Sequence, residues 1–156
     1  MNTKQSKTLK IIITIISIII VAVLGSVFVQ LGSEWFNSLV KPSQWIPNFL
    51  IPIVWSIIYI TFGIVLSIWI SNSRIPIGTI ILLIINGILN VLWCLTFFTL
   101  QLTFIGNIVI VFNLISSITL FIRIYKSNQF YAILTAIYPI WLCLATTLNL
   151  AIWILN

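Results

Sequence analysis

Residues 11–31 have the sequence IIITIISIIIVAVLGSVFVQL, a continuous apolar run without a charged side chain. An α-helix rises about 1.5 Å per residue, so about 20 such residues cross a hydrocarbon core about 30 Å thick. Four more runs of similar length follow, and we predict membrane-spanning helices at residues 9–31, 49–71, 76–98, 103–122 and 129–155. The predicted fold class is an all-α integral membrane protein, a five-transmembrane-helix bundle that forms one domain over residues 1–156.

The composition agrees with this fold class. The chain is 62% hydrophobic and 5% charged, whereas soluble domains are roughly half apolar and about one quarter charged. A soluble domain of 156 residues with these runs would lack polar faces to cover its helices. In a lipid bilayer, by contrast, each helix satisfies its own backbone groups. The first run follows several cations, as in a signal peptide, but contains no clear cleavage site, so we expect a retained helix.

The positive charges predict how the chain is oriented. With five spans, only Lys41 falls on the side of the first loop, residues 32–48; the cations on the other side are Lys4, Lys7, Lys10, Arg74, Arg123 and Lys126. Cytoplasmic loops carry the excess of Lys and Arg. We therefore expect a cytoplasmic N-terminus in the cell membrane, with the first loop on the opposite side. Because the cations lie between apolar runs and not on one face, no nucleic-acid partner is expected.

Several kinds of chemistry lack their residues. The chain has no histidine, its one acid, Glu34, lies in the first loop, and no charge lies in the middle of a span. Acid/base catalysis, metal sites and carboxylate-driven pumping need such groups. Cys94 and Cys143 lie inside apolar runs at no metal-binding or redox spacing. We expect no catalytic residue, no metal and no obligatory cofactor.

The first loop is rich in aromatic residues and prolines. It contains Trp35, Lys41, Pro42, Trp45 and Pro47. Proline fixes φ, and tryptophan is common at the headgroup level, so the loop can be an interfacial anchor. The alternative is that these residues form a lid over a site between the helices.

Three spans each carry an aromatic stripe at helical spacing. The residues are Trp55, Tyr59, Phe62, Leu66 and Trp69 in the second span, Asn86, Asn90, Trp93 and Phe97 in the third, and Tyr138, Trp141, Ala145, Asn149 and Trp153 in the fifth. The alternating direction of the spans brings Trp55, Asn90 and Asn149 into the half of the bilayer next to the first loop. If the stripes face one another, they form a pocket with aromatic walls and few polar groups, which suits a flat apolar ligand.

Membrane helices also use these residue types without any ligand. Amides such as Asn90 and Asn113 often serve as interhelical hydrogen bonds, and tryptophans near helix ends, here Trp69 and Trp153, form aromatic belts. For Trp55, Asn90 and Trp141 the pattern alone does not decide between a pocket and helix packing.

The same residues resemble a known family. The segment EWFNSLVKPS at 34–43, followed by PIVW at 52–55 and Tyr59, resembles the first loop and second helix of the TspO/MBR family. These are the translocator proteins, also called tryptophan-rich sensory proteins or peripheral-type benzodiazepine receptors. The segment NVLW at 90–93 resembles the family's third helix. The stripe of the fifth span, together with Ala151, Ile152, Trp153 and Asn156, resembles its fifth helix.

The resemblance implies a five-helix bundle, often a homodimer, whose pocket binds tetrapyrroles such as protoporphyrin IX and haem. Its ligand-binding positions match Trp55, Asn90, Trp93, Trp141, Ala145 and Asn149, beside which the stripes place Tyr59 and Tyr138. The chain departs from the family pattern at Gln44 and Ile46, and the order Tyr138-Pro139 is reversed, which moves the expected kink of the fifth helix. No cation follows Trp153, so the weak sterol-binding pattern of an aliphatic residue, a tyrosine and a cation is not met.

The leading hypothesis is a membrane receptor or carrier that binds porphyrin-type tetrapyrroles between its helices. One alternative is photo-oxidative breakdown of a bound porphyrin by neighbouring indoles. Another is a structural role as a membrane assembly partner without a ligand.

Overall fold

The computed structural model describes residues 3–43 and 46–156, with side chains from Gln5 onward, and within these ranges every regular element is helical. The elements are α1 (Thr3–Leu31), α2 (Ser33–Ser38), α3 (Leu50–Asn72), α4 (Ile77–Cys94), a π-helical segment (Leu95–Thr99), α5 (Thr103–Ser127), α6 (Gln129–Thr135) and α7 (Ile137–Leu155).

Among the described residues, five helical stretches are long and apolar enough to cross a membrane, which confirms the predicted five-helix class. They are α1, α3, α4 with the π-helical segment, α5, and α6 with α7. The observed bounds lie close to the predicted ones, but α1 begins earlier and α5 ends later than the apolar runs. Both helices continue beyond the apolar runs into the charged residues that flank them.

The spans form a closed ring. Helix α1 packs between α3 and α4, α5 packs between α4 and α7, and α3 completes the ring against α6 and α7. We call the end of the bundle with residues 32–49 and Asn156 the loop face, and the opposite end the N-terminal face. Because α3 contacts α6 more extensively than α7, the seam between α3 and α7 is the least tightly packed joint of the ring on the loop face.

A proline divides the fifth span. Pro139 has no backbone N–H and cannot donate to the carbonyl group of Thr135, four residues earlier. Helix α6 ends at Thr135 and α7 begins at Ile137, and the Thr135 hydroxyl donates to the Tyr131 carbonyl oxygen at 3.0 Å. The kink expected from Tyr138-Pro139 is thus observed as a break between two helices.

The interior contains two hydrophobic clusters, one near each face. The cluster near the loop face includes Trp93, Phe97 and Leu142, and the other includes Val65 and Trp69. Isoleucine-rich outer faces of the spans remain exposed to the surroundings of the chain, as a bilayer requires. The two clusters hold the helices together near both faces of the bundle.

The predicted loop at 32–48 is partly helical. Helix α2 occupies Ser33–Ser38, and Leu39 after it is extended. A Cβ added to Gly32 would overlap the carbonyl oxygen of Phe98, so the glycine lets the chain approach the π-helical segment closely. This contact folds α2 back over the loop face.

Candidate functional site

A cavity opens on the loop face between α3, α4 and α7, beneath α2. It has about 40 Å³ of interior space, and about 400 Å³ when the part open to the outside is included. Its lining consists of Phe36, Ile46, Ile51, Trp55, Trp93, Phe98, Trp141, Leu144, Ala145, Leu148 and Asn149. Five of these side chains are aromatic and one is polar, so the walls are suited to an apolar, aromatic guest.

Two tryptophans from different helices form one wall of the cavity. The ring centroids of Trp55 and Trp93 are 6.0 Å apart with an interplanar angle of 33°. The Trp93 indole N–H donates to the Asn149 side-chain oxygen at 3.2 Å, and the Asn149 amide nitrogen donates to the Ala145 carbonyl oxygen at 2.8 Å. These bonds fix the orientation of the Trp93 ring and satisfy part of the Asn149 amide.

The third indole of the lining differs from the other two. The Nε1 atom of Trp141 is buried and has no hydrogen-bond partner among the described residues. A buried donor without an acceptor costs about 1–3 kcal/mol. Trp141 lines the cavity, but this N–H is closed off from the open space, so an acceptor atom of a bound molecule would reach it only after the surrounding side chains move.

Aromatic contacts hold α2 over the cavity. The Phe36 ring, which belongs to the lining, lies 5.0 Å from the Phe98 ring and 6.4 Å from the Phe97 ring, measured between centroids. Trp35 contacts Phe97 edge to face at 5.9 Å, and Lys41 Nζ lies 4.9 Å from the Phe36 ring centroid. The first loop thus covers the cavity through α2.

The structure places the predicted site residues in two layers. The cavity lining contains Trp55, Trp93, Trp141, Ala145 and Asn149. Asn90, Tyr59 and Tyr138 are outside this lining and face neighbouring helices, where they form the layer beneath it. Whether any of these residues contacts a ligand stays a prediction.

The deeper layer is a hydrogen-bonded network between spans. The Tyr59 hydroxyl donates to the Asn90 side-chain oxygen at 3.2 Å. The Tyr138 hydroxyl lies 2.8 Å from the side-chain oxygen of Asn86 and 3.2 Å from that of Asn113, and the Asn86 amide donates to the same Asn113 oxygen at 2.9 Å. Polar groups at this depth need partners inside the protein. The Tyr59–Asn90 bond joins α3 to α4, and the bonds among Asn86, Asn113 and Tyr138 join α4, α5 and α7.

The described residues of the predicted lid are not part of the cavity lining. Trp35 and Lys41 contact aromatic rings of the loop face, Pro42 is buried, and Pro47 accepts the first turn bond of the segment that leads into α3. Trp45 lies outside the described residues. The lining receives Phe36 and Ile46 from this part of the chain instead.

The expectation of an aromatic belt is wrong for one of two tryptophans. Trp69 is only 2% exposed and packs against Tyr131, with ring centroids 5.8 Å apart. It therefore belongs to the core near the N-terminal face. Trp153 is 41% exposed and contacts Phe104, as a side chain at the membrane surface would.

Several lining residues were not predicted from the sequence. These are Phe36, Ile46, Ile51, Phe98, Leu144 and Leu148. Leu144 and Leu148 lie three residues after Trp141 and Ala145, so helical periodicity would have placed them on the same face. Phe36 lies in a helix of only six residues, which is too short for a periodic signal.

Comparisons with known proteins show the family to which the chain belongs. The model of the TspO/MBR family matches residues 13–154. The protein named Tryptophan-rich protein TspO of Archaeoglobus fulgidus is 30% identical over 150 residues, which cover 95% of this chain and 97% of the relative. Protein CrtK of Rhodobacter capsulatus is 28% identical over 125 residues, 78% of each chain.

Proposed function

The chain belongs to the TspO/MBR family of membrane sensory and transport proteins, and from this membership we propose that its loop-face cavity binds a porphyrin-type tetrapyrrole. Protoporphyrin IX and haem are the ligands that the family resemblance implies. No obligatory cofactor is proposed, because the porphyrin is a ligand that the protein holds and releases. Carrying and sensing both require such a site.

The observation that carries the proposal is the set of three indoles around one cavity. Trp55, Trp93 and Trp141 come from three different helices and meet at the same lining. A flat aromatic guest gains about 0.5–1.5 kcal/mol for each well-placed ring contact, beyond the gain from burial. A macrocycle with four pyrrole rings has the area to contact more than one of these indoles.

Polar groups in the lining would fix the orientation of such a guest. The partnerless N–H of Trp141 would donate to an acceptor of the ligand, for example a carboxylate or carbonyl oxygen. The Asn149 amide already has two bonds, to Trp93 and to Ala145. Trp141 is therefore the polar contact that we expect to gain most from binding.

The lining also bears on the choice between haem and a metal-free porphyrin. Haem iron is usually held by His, Cys, Met or Tyr, and none of these types occurs in the described lining. The ligand is therefore held through its ring and its peripheral groups. We expect protoporphyrin IX and haem to bind with similar affinity.

Binding requires the cavity to widen. Ligand sites for drug-sized molecules have volumes of about 300–1,000 Å³, whereas the interior space here is about 40 Å³. The joint between α3 and α7 offers the route, since Leu144 of α7 lines the cavity and is 37% exposed. Separation of α3 and α7 at this seam would widen the cavity beside the cover formed by α2.

A fluorescence titration tests the proposal. Protoporphyrin IX is added to purified protein in detergent, and we expect saturable quenching of tryptophan emission. Trp141→Phe should weaken the affinity about three- to tenfold, because it removes the N–H donor and part of the ring contact. The matched control is Trp153→Phe, whose indole lies outside the cavity. Equal affinities for both variants and the unchanged protein, or no saturation at all, would contradict the proposed site.

We also propose an orientation and an assembly state. The cations predict that the N-terminal face is cytoplasmic in the cell membrane, and the family resemblance implies a homodimer. A protein mass of twice 17.7 kDa by light scattering, after correction for detergent, would support the dimer. A mass of one chain would contradict it.

A further inference from the structure

The segment after α2 is bonded to the end of α7 by a single side chain. The Val40 backbone N–H donates to the Asn156 side-chain oxygen at 2.9 Å, and the Asn156 amide nitrogen donates to the Val40 carbonyl oxygen at 3.1 Å. One amide therefore satisfies both backbone groups of a residue 116 positions away in the chain. An asparagine side chain can do this because it offers an acceptor and a donor on adjacent atoms.

Helix α7 holds the Asn156 side chain in place for this contact. Its amide nitrogen also donates to the Ile152 carbonyl oxygen at 2.9 Å, and the Asn156 backbone N–H donates to the same oxygen at 3.1 Å. The same helix carries Trp141 and Asn149 of the cavity wall. The bond to Val40 thus connects the cover of the cavity to one of its walls.

The other end of this cover is fixed by the π-helical segment. The carbonyl oxygen of Phe98 lies where a side chain on Gly32 would be, and the Thr99 hydroxyl donates to the Phe28 carbonyl oxygen at 2.8 Å. Between these ends α2 contains no fully buried residue. Residues 33–41, which we call the lid, are therefore fixed at their two ends, and the rings of Trp35 and Phe36 pack on the π-helical segment between these ends.

We propose that Asn156 is a positioning residue that latches the lid to α7 and thereby sets how fast a ligand enters and leaves the cavity. The latch itself follows from the hydrogen bonds of Val40 and Asn156. Its effect on a tetrapyrrole rests on the proposed function. Asn156 does not line the cavity. Its replacement should therefore change the rates of ligand entry and release more than the contacts that a bound ligand makes.

The latch can be tested without any ligand by hydrogen exchange and mass spectrometry on the full chain in detergent. Asn156→Leu removes both bonds to Val40, whereas Asn156→Asp keeps the acceptor and loses the donor. Removing two ordinary hydrogen bonds should speed exchange of the lid amides by about tenfold. We expect this in Asn156→Leu and a smaller increase in Asn156→Asp. Leu155→Ala, a change at an exposed neighbour, should leave the lid unchanged.

The outcomes separate the latch from general loosening of the bundle. Amides of residues 86–90, at the centre of α4, provide the internal reference. Faster exchange confined to the lid supports the latch. Unchanged exchange of the lid in Asn156→Leu, or an equal increase at residues 86–90, would overturn it.

A stopped-flow measurement with protoporphyrin IX then tests the effect on ligand exchange. Asn156→Leu should raise the association and dissociation rates together by several-fold, with a smaller change in Kd. Rates equal to those of the unchanged protein would refute the kinetic role. If the unchanged protein does not bind protoporphyrin IX, the proposed function fails, while hydrogen exchange still decides whether the latch exists.

Discussion

Lys41 is the one cation of the sequence on the loop face, and it lies beside a side chain of the cavity lining. Its ammonium group is 4.9 Å from the centroid of Phe36, a lining residue. A porphyrin with its ring among the indoles would direct its propionate groups toward water. Lys41 is half-buried on this side of the lining, within reach of such groups. An ammonium group at this position would favour an acidic ligand.

Lys41→Gln should therefore weaken binding of protoporphyrin IX and not of its dimethyl ester. The ion pair between Lys41 and a ligand carboxylate would be partly exposed to solvent, so we expect the affinity for the free acid to fall about two- to fivefold. Titrations of both ligands against this variant, and against Lys126→Gln at the opposite face as the control, measure the effect. An equal loss for acid and ester would show that Lys41 acts on the lid and not on the carboxylates.

Tyr138 shows how a predicted site residue can be structural. Its hydroxyl donates within the buried Asn86 and Asn113 pair. We expect Tyr138→Phe to destabilise the bundle by about 0.6–2 kcal/mol, since such bonds between membrane helices have this strength. Denaturant unfolding in detergent measures the loss, with Tyr125→Phe at an exposed tyrosine as control. A loss no larger than that of Tyr125→Phe would contradict the structural role.

At the scale of helices, the length of the apolar runs was enough to predict all five spans. The break at Pro139 followed from chemistry that is local to the sequence. The π-helical segment could not be predicted in this way, because Leu95–Thr99 contains no residue whose local chemistry requires a wider helical turn. Its form accompanies a tertiary contact, the close approach of Gly32 to the Phe98 carbonyl group.

Replacing Gly32 tests that contact. The backbone of Gly32 has φ −98° and ψ 7°, which alanine adopts readily, but the new methyl group would overlap the Phe98 carbonyl oxygen. Gly32→Ala should cost about 1–3 kcal/mol, as other overpacked sites do, and should displace α2. Gly63→Ala is the control, because nothing lies within 4 Å of its added Cβ, and it should be neutral or stabilising in the same unfolding assay. Similar stabilities of the two variants would be inconsistent with the close approach.

The site was predictable only in part, and the reason lies in how helices face one another. The stripes placed Trp55, Trp93 and Trp141 on inward faces, and these three indoles do meet. Asn90 lies on the same stripe as Trp93, yet it pairs with Tyr59 one layer deeper. Periodicity gives the face of a helix on which a side chain lies but not how deeply two helices pack. The hydrogen-bond partner of Asn90 could therefore not be derived from the sequence.

At the scale of the whole molecule, the charges predict a topology. If the N-terminal face is cytoplasmic, a reporter fused after Asn156 lies on the opposite side, since five spans separate the ends. Alkaline phosphatase, which needs an oxidising compartment, should be active in this fusion, and a fusion after Ser127 should be inactive. The reverse pattern would show the opposite orientation and place the cavity mouth toward the cytoplasm.

The whole bundle must also move for a tetrapyrrole to bind. Its interior cavity of about 40 Å³ is covered by the lid, in which Val40 is bonded to Asn156. The seam between α3 and α7, where the two helices have few contacts, borders the same cavity. Opening of the lid and of this seam would widen the same space. The polar network below, centred on Tyr138, would keep the remaining helices together.

A crystal structure of the protein with protoporphyrin IX tests the central claim most directly. The account predicts the macrocycle between the indoles of Trp55, Trp93 and Trp141, the lid displaced outward, and an acceptor of the ligand within about 3.5 Å of Trp141 Nε1. A macrocycle bound on the outer, lipid-facing surface, with the three indoles packed as they are here, would contradict it.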